Sequence, residues 1–126
     1  MLELTSILLV DDDRQLASAL QYILADENFL VDLAFDGAEA LLKVKVHEYD
    51  VVLCDVMMPR VRGDEFYYQA KELRPELADQ FIFITGYAAD PEITSFLVRE
   101  DVKYLVKPFE IEGLIGCIRE LLESMR

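Results

Sequence analysis

Two short apolar runs of this chain end in aspartates, and this pattern constrains the fold more than any other feature. Residues 7–10 (ILLV) lead into three consecutive aspartates at 11–13, and residues 51–54 (VVLC) lead into Asp55. An apolar run of this length is typical of a parallel strand that is buried on both faces. Because a buried strand cannot carry charge, the acids must lie just past its carboxyl end, which is the edge where open α/β sheets bind ligands.

The acids that follow these two runs should therefore lie close together. Asp11, Asp12 and Asp55 would share one edge of the sheet. Two unit charges about 4 Å apart repel each other by roughly 4 kcal/mol at an effective dielectric constant near 20. Such a cluster needs a cation, and ligands that are all oxygen atoms suit Mg²⁺. The sequence thus predicts a magnesium site.

The whole chain alternates strand and helix five times. Strands are predicted over residues 5–10, 29–34, 50–54, 81–84 and 104–106. Helices are predicted from about residue 13, over 38–46, over 66–73 with an end at Pro75, from residue 90 and over 111–122. This alternation predicts an α/β fold, a parallel sheet with helices on both faces. We expect a flavodoxin-like three-layer sandwich of five βα units, with strand order 2-1-3-4-5.

Length, charge and cysteine content narrow the class of protein. The 126 residues fit one domain, with no linker or low-complexity segment. A net charge of -13 disfavours direct binding to nucleic acid or to an anionic membrane. No stretch reaches the roughly 20 apolar residues of a membrane span, and no signal peptide opens the chain. We therefore expect a single domain over residues 1–126, located in the cytoplasm with its cysteines reduced.

The ends of the fourth and fifth predicted strands add a hydroxyl and a cation to the acids. Thr85 follows the run 81–84, and Lys107 follows 104–106. Since strands one, three, four and five are neighbours in the predicted order, these groups can converge. A magnesium site with an ammonium and a hydroxyl can hold a phosphoryl group, whose phosphorus a carboxylate can attack. The residues predict phosphoryl transfer to an aspartate.

Five short motifs follow one another on the predicted strand ends. They are VDD at 10–12, DVMMP at 55–59, Gly63, TG at 85–86 and YLVKPF at 104–109. In this order the chain resembles the receiver domains of two-component response regulators, from residue 7 to about residue 122. Each motif alone is weak evidence, but their order on these strand ends is highly specific. The resemblance implies a phosphoacceptor domain.

The resemblance also assigns roles to the acids. It implies that Asp55 is the phosphoacceptor. It implies that Asp12 and Asp55 bind Mg²⁺ directly, together with the backbone carbonyl of Met57. Asp11 would hold a water molecule bound to the metal.

Further roles implied by the resemblance concern signalling. Lys107 would pair with Asp55 at rest and with the phosphoryl oxygens afterwards, and the Lys107–Pro108 peptide would be cis. Thr85 would then move toward the phosphoryl group, and the Tyr104 ring would rotate inward as the second member of a switch pair. The implied phosphodonor is a sensor histidine kinase or a phosphotransfer protein. An output domain or target protein would bind the face formed by the fourth helix, fifth strand and fifth helix. Whether the chain stands alone, precedes an output domain or belongs to a hybrid histidine kinase stays open.

Two functions of other classes stay open beside this one. A phosphatase of the haloacid dehalogenase type also uses an aspartate nucleophile and Mg²⁺, and Asp11-x-Asp13 matches the start of its motif. Residues 14–15 (RQ) do not continue that motif, and 126 residues leave no room for a cap domain. A binding module with the same fold but no chemistry is disfavoured by the complete set of acids, threonine and lysine. We expect a signalling phosphoacceptor rather than an enzyme.

Several residues near these motifs are expected to have structural roles. Asp13 stands where a helix begins and should be its N-cap. His47 should be a surface residue, and Cys54 should be a small buried apolar residue rather than half of a disulfide. Gly86 stands where alanine is more usual in the family, which should leave space beside the phosphoacceptor.

Overall fold

Five parallel strands form one sheet in the order β2-β1-β3-β4-β5 in the computed structural model, which describes residues 4–58, 60–86 and 90–125. The strands are β1 (Thr5–Val10), β2 (Phe29–Ala34), β3 (Val51–Asp55), β4 (Phe81–Thr85) and β5 (Lys103–Val106). The helices are α1 (Arg14–Ala25), α2 (Gly37–Val46), α3 (Gly63–Leu73), α4 (Pro91–Arg99) and α5 (Ile111–Ser124). The predicted flavodoxin-like fold and strand order are confirmed.

The sheet separates two apolar cores. On one face, side chains of β1, β3 and β4 pack with α1 and α5. On the other face, α2, α3 and α4 cover a core that includes a cluster of aromatic rings from α3, β4 and α4. Burial on both faces explains why β3 and β4 read as continuous apolar runs. Within the described part of the chain, no helix has the length and apolar character to cross a membrane.

The strands next to the site extend one residue further than the sequence predicted. Asp55 belongs to β3 and pairs with Ile84, and Thr85 belongs to β4 and pairs with Val106. The backbone of both residues still belongs to the sheet, and only their side chains reach past it. This difference arises because hydrogen bonding of the backbone does not depend on the polarity of the last side chain.

A short 3-10 helix, Pro75–Asp79, follows α3 where the sequence predicted none. Pro75 has no amide hydrogen and cannot continue α3, which ends at Leu73. Its fixed φ angle nevertheless suits the first position of a new helical turn. The apolar pattern of residues 75–79 is too short to show this turn in the sequence.

Aspartate side chains cap three of the helices. Asp13 accepts a hydrogen bond from the Leu16 amide at 3.0 Å, at the start of α1. Asp36 caps α2 and Asp90 caps α4 in the same way. The predicted N-cap role of Asp13 is confirmed. Each cap satisfies an amide that the helix itself leaves without a partner.

Gly63 lets the start of α3 lie directly against the end of β3. Its amide donates to the Val56 carbonyl at 2.8 Å. A Cβ atom at this position would lie 2.2 Å from the carbonyl oxygen of Asp55 and 2.8 Å from the Cα atom of Val56. Because these neighbours are backbone atoms, any side chain would push α3 away from the strand that carries Asp55.

We predict that Gly63→Ala lowers the free energy of unfolding by about 1–3 kcal/mol, the usual cost of overpacking. Gly116→Ala is the matched control, since a Cβ atom there meets nothing within 4 Å inside helix α5. The control should gain about 0.5–1 kcal/mol from its better helix propensity. Urea unfolding followed by circular dichroism measures both changes. Equal stability of Gly63→Ala and the unmodified protein would contradict the close approach.

Candidate functional site

The carboxyl edge of the sheet brings together the polar residues that the sequence placed at strand ends. Asp11 follows β1, Asp55 and Thr85 end β3 and β4, and Lys107 follows β5. The chain order of the strands reverses between β1 and β3, so a crevice forms there. The register pairs Val10 with Cys54, which places the acids that follow them side by side.

Three carboxylates form the centre of this site. One oxygen atom from each of Asp11, Asp12 and Asp55 lies within 4.8 Å of the others. Asp11 and Asp55 are buried and Asp12 is exposed. A compact set of carboxylate oxygens with one open side fits Mg²⁺, which takes oxygen ligands and keeps several waters. The predicted acids are thus brought together, while the Met57 carbonyl as a ligand stays a prediction.

Lys107 supplies a positive charge to this cluster. Its Nζ atom lies 3.0 Å from Asp55 Oδ2 and 3.7 Å from Asp11 Oδ2. Partial burial would lower the pKa of Lys107, but the hydrogen bond to Asp55 and the negative charges of Asp55 and Asp11 outweigh it, so the pKa is raised. Lys107 is therefore an ammonium at neutral pH. The peptide bond between Lys107 and Pro108 is cis, as the resemblance implied.

Burial makes both inner carboxylates harder to ionise. Loss of solvent raises the pKa of Asp55, and the hydrogen bond and charge of Lys107 oppose this without cancelling it. Loss of solvent also raises the pKa of Asp11, against the opposing effects of the Asp13 amide and Lys107. The negative charges of the neighbouring carboxylates raise both values further. A divalent cation at this site would relieve the repulsion.

Backbone amides orient both buried acids, a feature that the sequence analysis missed. The amide of Asp13 donates to Asp11 Oδ1 at 2.9 Å. The amide of Met57 donates to Asp55 Oδ1 at 3.1 Å, so each oxygen of Asp55 has one donor. Aspartates commonly accept a hydrogen bond from the amide two residues further on. An aspartate directly after a strand could have indicated these turns.

Thr85 and Tyr104 lie on neighbouring strands but in different environments. Thr85 is fully buried at the end of β4, and its carbonyl accepts a hydrogen bond from the Lys107 amide at 2.8 Å. Tyr104 lies on β5, where it pairs with Phe83 of β4, and 47% of its surface is exposed. The tyrosine side chain is therefore largely solvent-accessible in this conformation. Their roles as a switch pair stay predictions.

An open cleft of about 510 Å³ surrounds the acids. Its walls include Asp11–Asp13, Asp55, Met57, Gly86 and Lys107. A Cβ atom at Gly86 would have its nearest neighbour, the Cβ atom of Lys107, 4.0 Å away, so the glycine leaves space as expected. Pro59 of the DVMMP motif lies outside the described residues. A group of phosphoryl size can enter this cleft from solvent.

His47 and Cys54, which were predicted to have structural rather than chemical roles, have the predicted exposure and burial. His47 is exposed at the end of α2. Cys54 is a free cysteine that is fully buried in β3. Burial and the nearby charges of Asp55 and Asp11 raise the pKa of the Cys54 thiol well above its usual value. A neutral, buried thiol of this kind behaves as a small apolar side chain.

Comparison with known proteins identifies a matching family. Residues 7–119 match the model of the response regulator receiver domain. The response regulator ArlR of Staphylococcus aureus is 34% identical over 119 residues, which are 94% of this chain and 53% of that protein. The chain spans about half the length of the curated relatives it matches.

Solved structures agree with this match. A CheY-like response regulator receiver domain protein from Methanospirillum hungatei JF-1 is 31% identical with a TM-score of 0.89, covering 97% of this chain and 96% of that one. The response regulator TrrA of Thermotoga maritima, solved in complex with Mg²⁺ and BeF, is 28% identical with a TM-score of 0.81. That comparison covers 94% of this chain and 100% of TrrA.

We predict that Asp11→Asn stabilises the magnesium-free protein at neutral pH. The raised pKa of Asp11 means that the folded state binds its proton more tightly than the unfolded state. The ionised carboxylate therefore destabilises the fold above the folded pKa. Asparagine keeps an oxygen for the Asp13 amide and removes the charge. The gain should shrink as pH falls through the folded pKa and vanish below the ordinary value of 3.8.

Urea unfolding in EDTA between about pH 4 and pH 7 measures this gain. Asp79→Asn is the matched control, because it removes the same charge from an exposed position near the amino end of β4. The control shows how much of any gain comes from lowering the net charge of -13. An Asp11→Asn protein that is no more stable than the control at pH 7 would contradict the prediction.

Proposed function

The chain belongs to the family of response regulator receiver domains, and on this basis we propose that it accepts a phosphoryl group on Asp55. The phosphodonor is a phosphohistidine of a sensor histidine kinase or of a phosphotransfer protein. The contact between Lys107 Nζ and Asp55 Oδ2 at 3.0 Å, beside two further carboxylates, is the observation that carries the proposal. This contact holds the acceptor carboxylate in the cleft beside a positive charge.

The proposed transfer is a substitution at phosphorus. A carboxylate oxygen of Asp55 forms the new O–P bond, and the P–N bond to the donor imidazole breaks with its electron pair staying on nitrogen. The Met57 amide and the Lys107 ammonium hold the two acceptor oxygens before the reaction. Lys107 then remains positively charged and can pair with an oxygen of the phosphoryl group.

Mg²⁺ is the proposed cofactor, with Asp12, Asp55 and the Met57 carbonyl as ligands and Asp11 acting through a water molecule. The all-oxygen set with one open side supports this assignment. TrrA, a relative of the same fold, was solved with Mg²⁺ and BeF. Bound Mg²⁺ would neutralise phosphoryl charge as it develops.

We propose that Thr85 and Tyr104 convert phosphorylation into a surface change. Thr85 would move its hydroxyl toward the phosphoryl group from its buried place at the end of β4. The half-exposed Tyr104 ring would then rotate into the vacated space. The surface that changes is formed by α4, β5 and α5, where an output domain or a target protein would bind.

We also propose where the domain works and what it binds. It is a cytoplasmic signalling protein that binds protein partners and makes no direct contact with nucleic acid or membrane. It assists its own phosphorylation and dephosphorylation and turns over no external substrate, so we do not class it as an enzyme. The net charge of -13 supports protein partners over nucleic acid and anionic membranes, because these polyanions repel a strongly acidic protein.

A phosphatase of the haloacid dehalogenase type is supported less well. In such an enzyme the second acid of Asp11-x-Asp13 transfers a proton. One oxygen of the Asp13 carboxylate instead accepts the Leu16 amide at 3.0 Å as the cap of α1. Lys107 also lies closer to Asp55 than to Asp11, which favours Asp55 as the acceptor.

Incubation with acetyl phosphate and Mg²⁺ should add one phosphoryl group to the protein, detected by intact mass spectrometry. Asp55→Asn should abolish the addition, and EDTA or Asp12→Asn should slow it strongly. Asp79→Asn, an exposed aspartate outside the cleft, should react like the unmodified protein. Continuous release of phosphate that persists in Asp55→Asn and is lost in Asp11→Asn would indicate the phosphatase, and no reaction would indicate a binding module.

A tryptophan at position 104 should report the proposed rotation. The chain has no tryptophan, so Tyr104→Trp carries a single fluorophore. Mg²⁺ with beryllofluoride should reduce quenching of this tryptophan by acrylamide, because an inward ring loses contact with water. Tyr22→Trp, on the exposed face of α1, is the control and should not respond. Unchanged quenching at position 104 in a protein that binds beryllofluoride would exclude the rotation.

A further inference from the structure

Side chains from two helices contact the free edge of the sheet along β2. Among the residues that the structure describes, β2 is the outermost strand and pairs with β1 alone. Gln21 Nε2 on α1 donates to the Val31 carbonyl at 2.8 Å, and Lys43 Nζ on α2 donates to the Leu33 carbonyl. Glu39 Oε1 on α2 accepts from the Phe35 amide at 2.8 Å. The contacted residues follow one another at every second position.

This spacing identifies the contacted groups as those that point away from the sheet. Successive residues of a strand direct their backbone groups to opposite sides. The carbonyl of Ala34 faces β1, because it accepts a hydrogen bond from the Asp11 amide. The backbone groups of residues 31, 33 and 35 must therefore face outward. Another strand would have to pair with these same groups.

The contacts come from both faces of the sheet. The side chains of Val31 and Leu33 pack in the core beneath α1 and α5, and Gln21 reaches the edge from that face. Lys43 and Glu39 reach it from α2, which covers the opposite face. All three side chains are half-buried, so their polar groups lie along the edge rather than extending into solvent. An added strand would have to displace both helices' side chains.

Exposed apolar residues near this edge would favour self-association of the protein if the edge were open. Tyr22, Leu30 and Leu42 are each adjacent in sequence to one of the contacting or contacted residues. They are exposed by 77%, 56% and 64%. An exposed strand edge with apolar neighbours is a template for pairing with another chain, and proteins commonly block such edges with polar side chains.

We propose that Gln21 and Lys43 close the β2 edge against pairing with β2 of a second copy of this chain. Two identical strands related by a two-fold axis pair in antiparallel fashion, each offering the same groups to the other. Such pairing needs the Val31 and Leu33 carbonyls as acceptors, and the two side chains occupy these acceptors. The closure is independent of phosphorylation, since no residue of the cleft takes part.

The test compares two double variants of identical composition and charge. Gln21→Ala/Lys43→Ala removes both donors, and Gln15→Ala/Lys45→Ala makes the same exchanges at exposed positions of the same two helices. Sedimentation velocity over a concentration series measures self-association. The association constant of the first variant should exceed that of the control at least about tenfold, a change that one or two recovered strand hydrogen bonds can supply.

Hydrogen exchange then locates the contact. At concentrations where the first variant associates, the amides of Val31 and Leu33 should exchange more slowly than in its dilute form. Equal association of the two variants would overturn the proposal, and so would association that leaves these two amides unchanged. If the alanine variant does not fold, Gln21→Met/Lys43→Met removes the same donors with a good helix former and is compared with Gln15→Met/Lys45→Met by the same two measurements.

Discussion

The ion pair between Lys107 and Asp55 is the interaction on which the acidic edge depends. Two buried carboxylates and one exposed carboxylate lie together, and Lys107 is the cation that contacts both buried ones. Removing Lys107 would leave two buried carboxylates without a compensating positive charge, which costs stability. The sheet topology makes the contact possible, since the lysine reaches Asp55 across the end of the intervening strand β4.

The positive charge of Lys107 offsets the negative charge of the three carboxylates only in part. The remaining charge is central to the chemistry of the site. The pKa values of Asp11 and Asp55 stay raised even with the ammonium in place. With three carboxylates against one ammonium, the cluster also retains negative charge that a divalent cation can neutralise. Backbone amides at Asp13 and Met57 fix the orientation of the two buried acids. These donors belong to the main chain, so the orientation does not depend on which side chains follow the acids.

Much of this arrangement could be predicted from the sequence, because its determinants are local and strong. Apolar runs that end in acids gave the strands, the sheet edge and the three carboxylates. The 3-10 helix after α3 and the backbone donors were missed, since neither produces an apolar period. The exposure of Tyr104 could not be predicted either, because an edge strand is buried or exposed according to the helices beside it. The contacts of Gln21 and Lys43 are invisible in sequence for a similar reason: polar residues on helices are usually solvated.

The distance along the chain between Lys107 and Asp55 has a consequence for biosynthesis. The two residues are 52 positions apart, and the lysine follows the last strand. A ribosome releases the carboxylates long before it releases their cation. A nascent chain that ends at β4 already contains the three carboxylates but not yet the ammonium that contacts them. The acceptor site can therefore be completed only after β5 and the lysine that follows it have been synthesised.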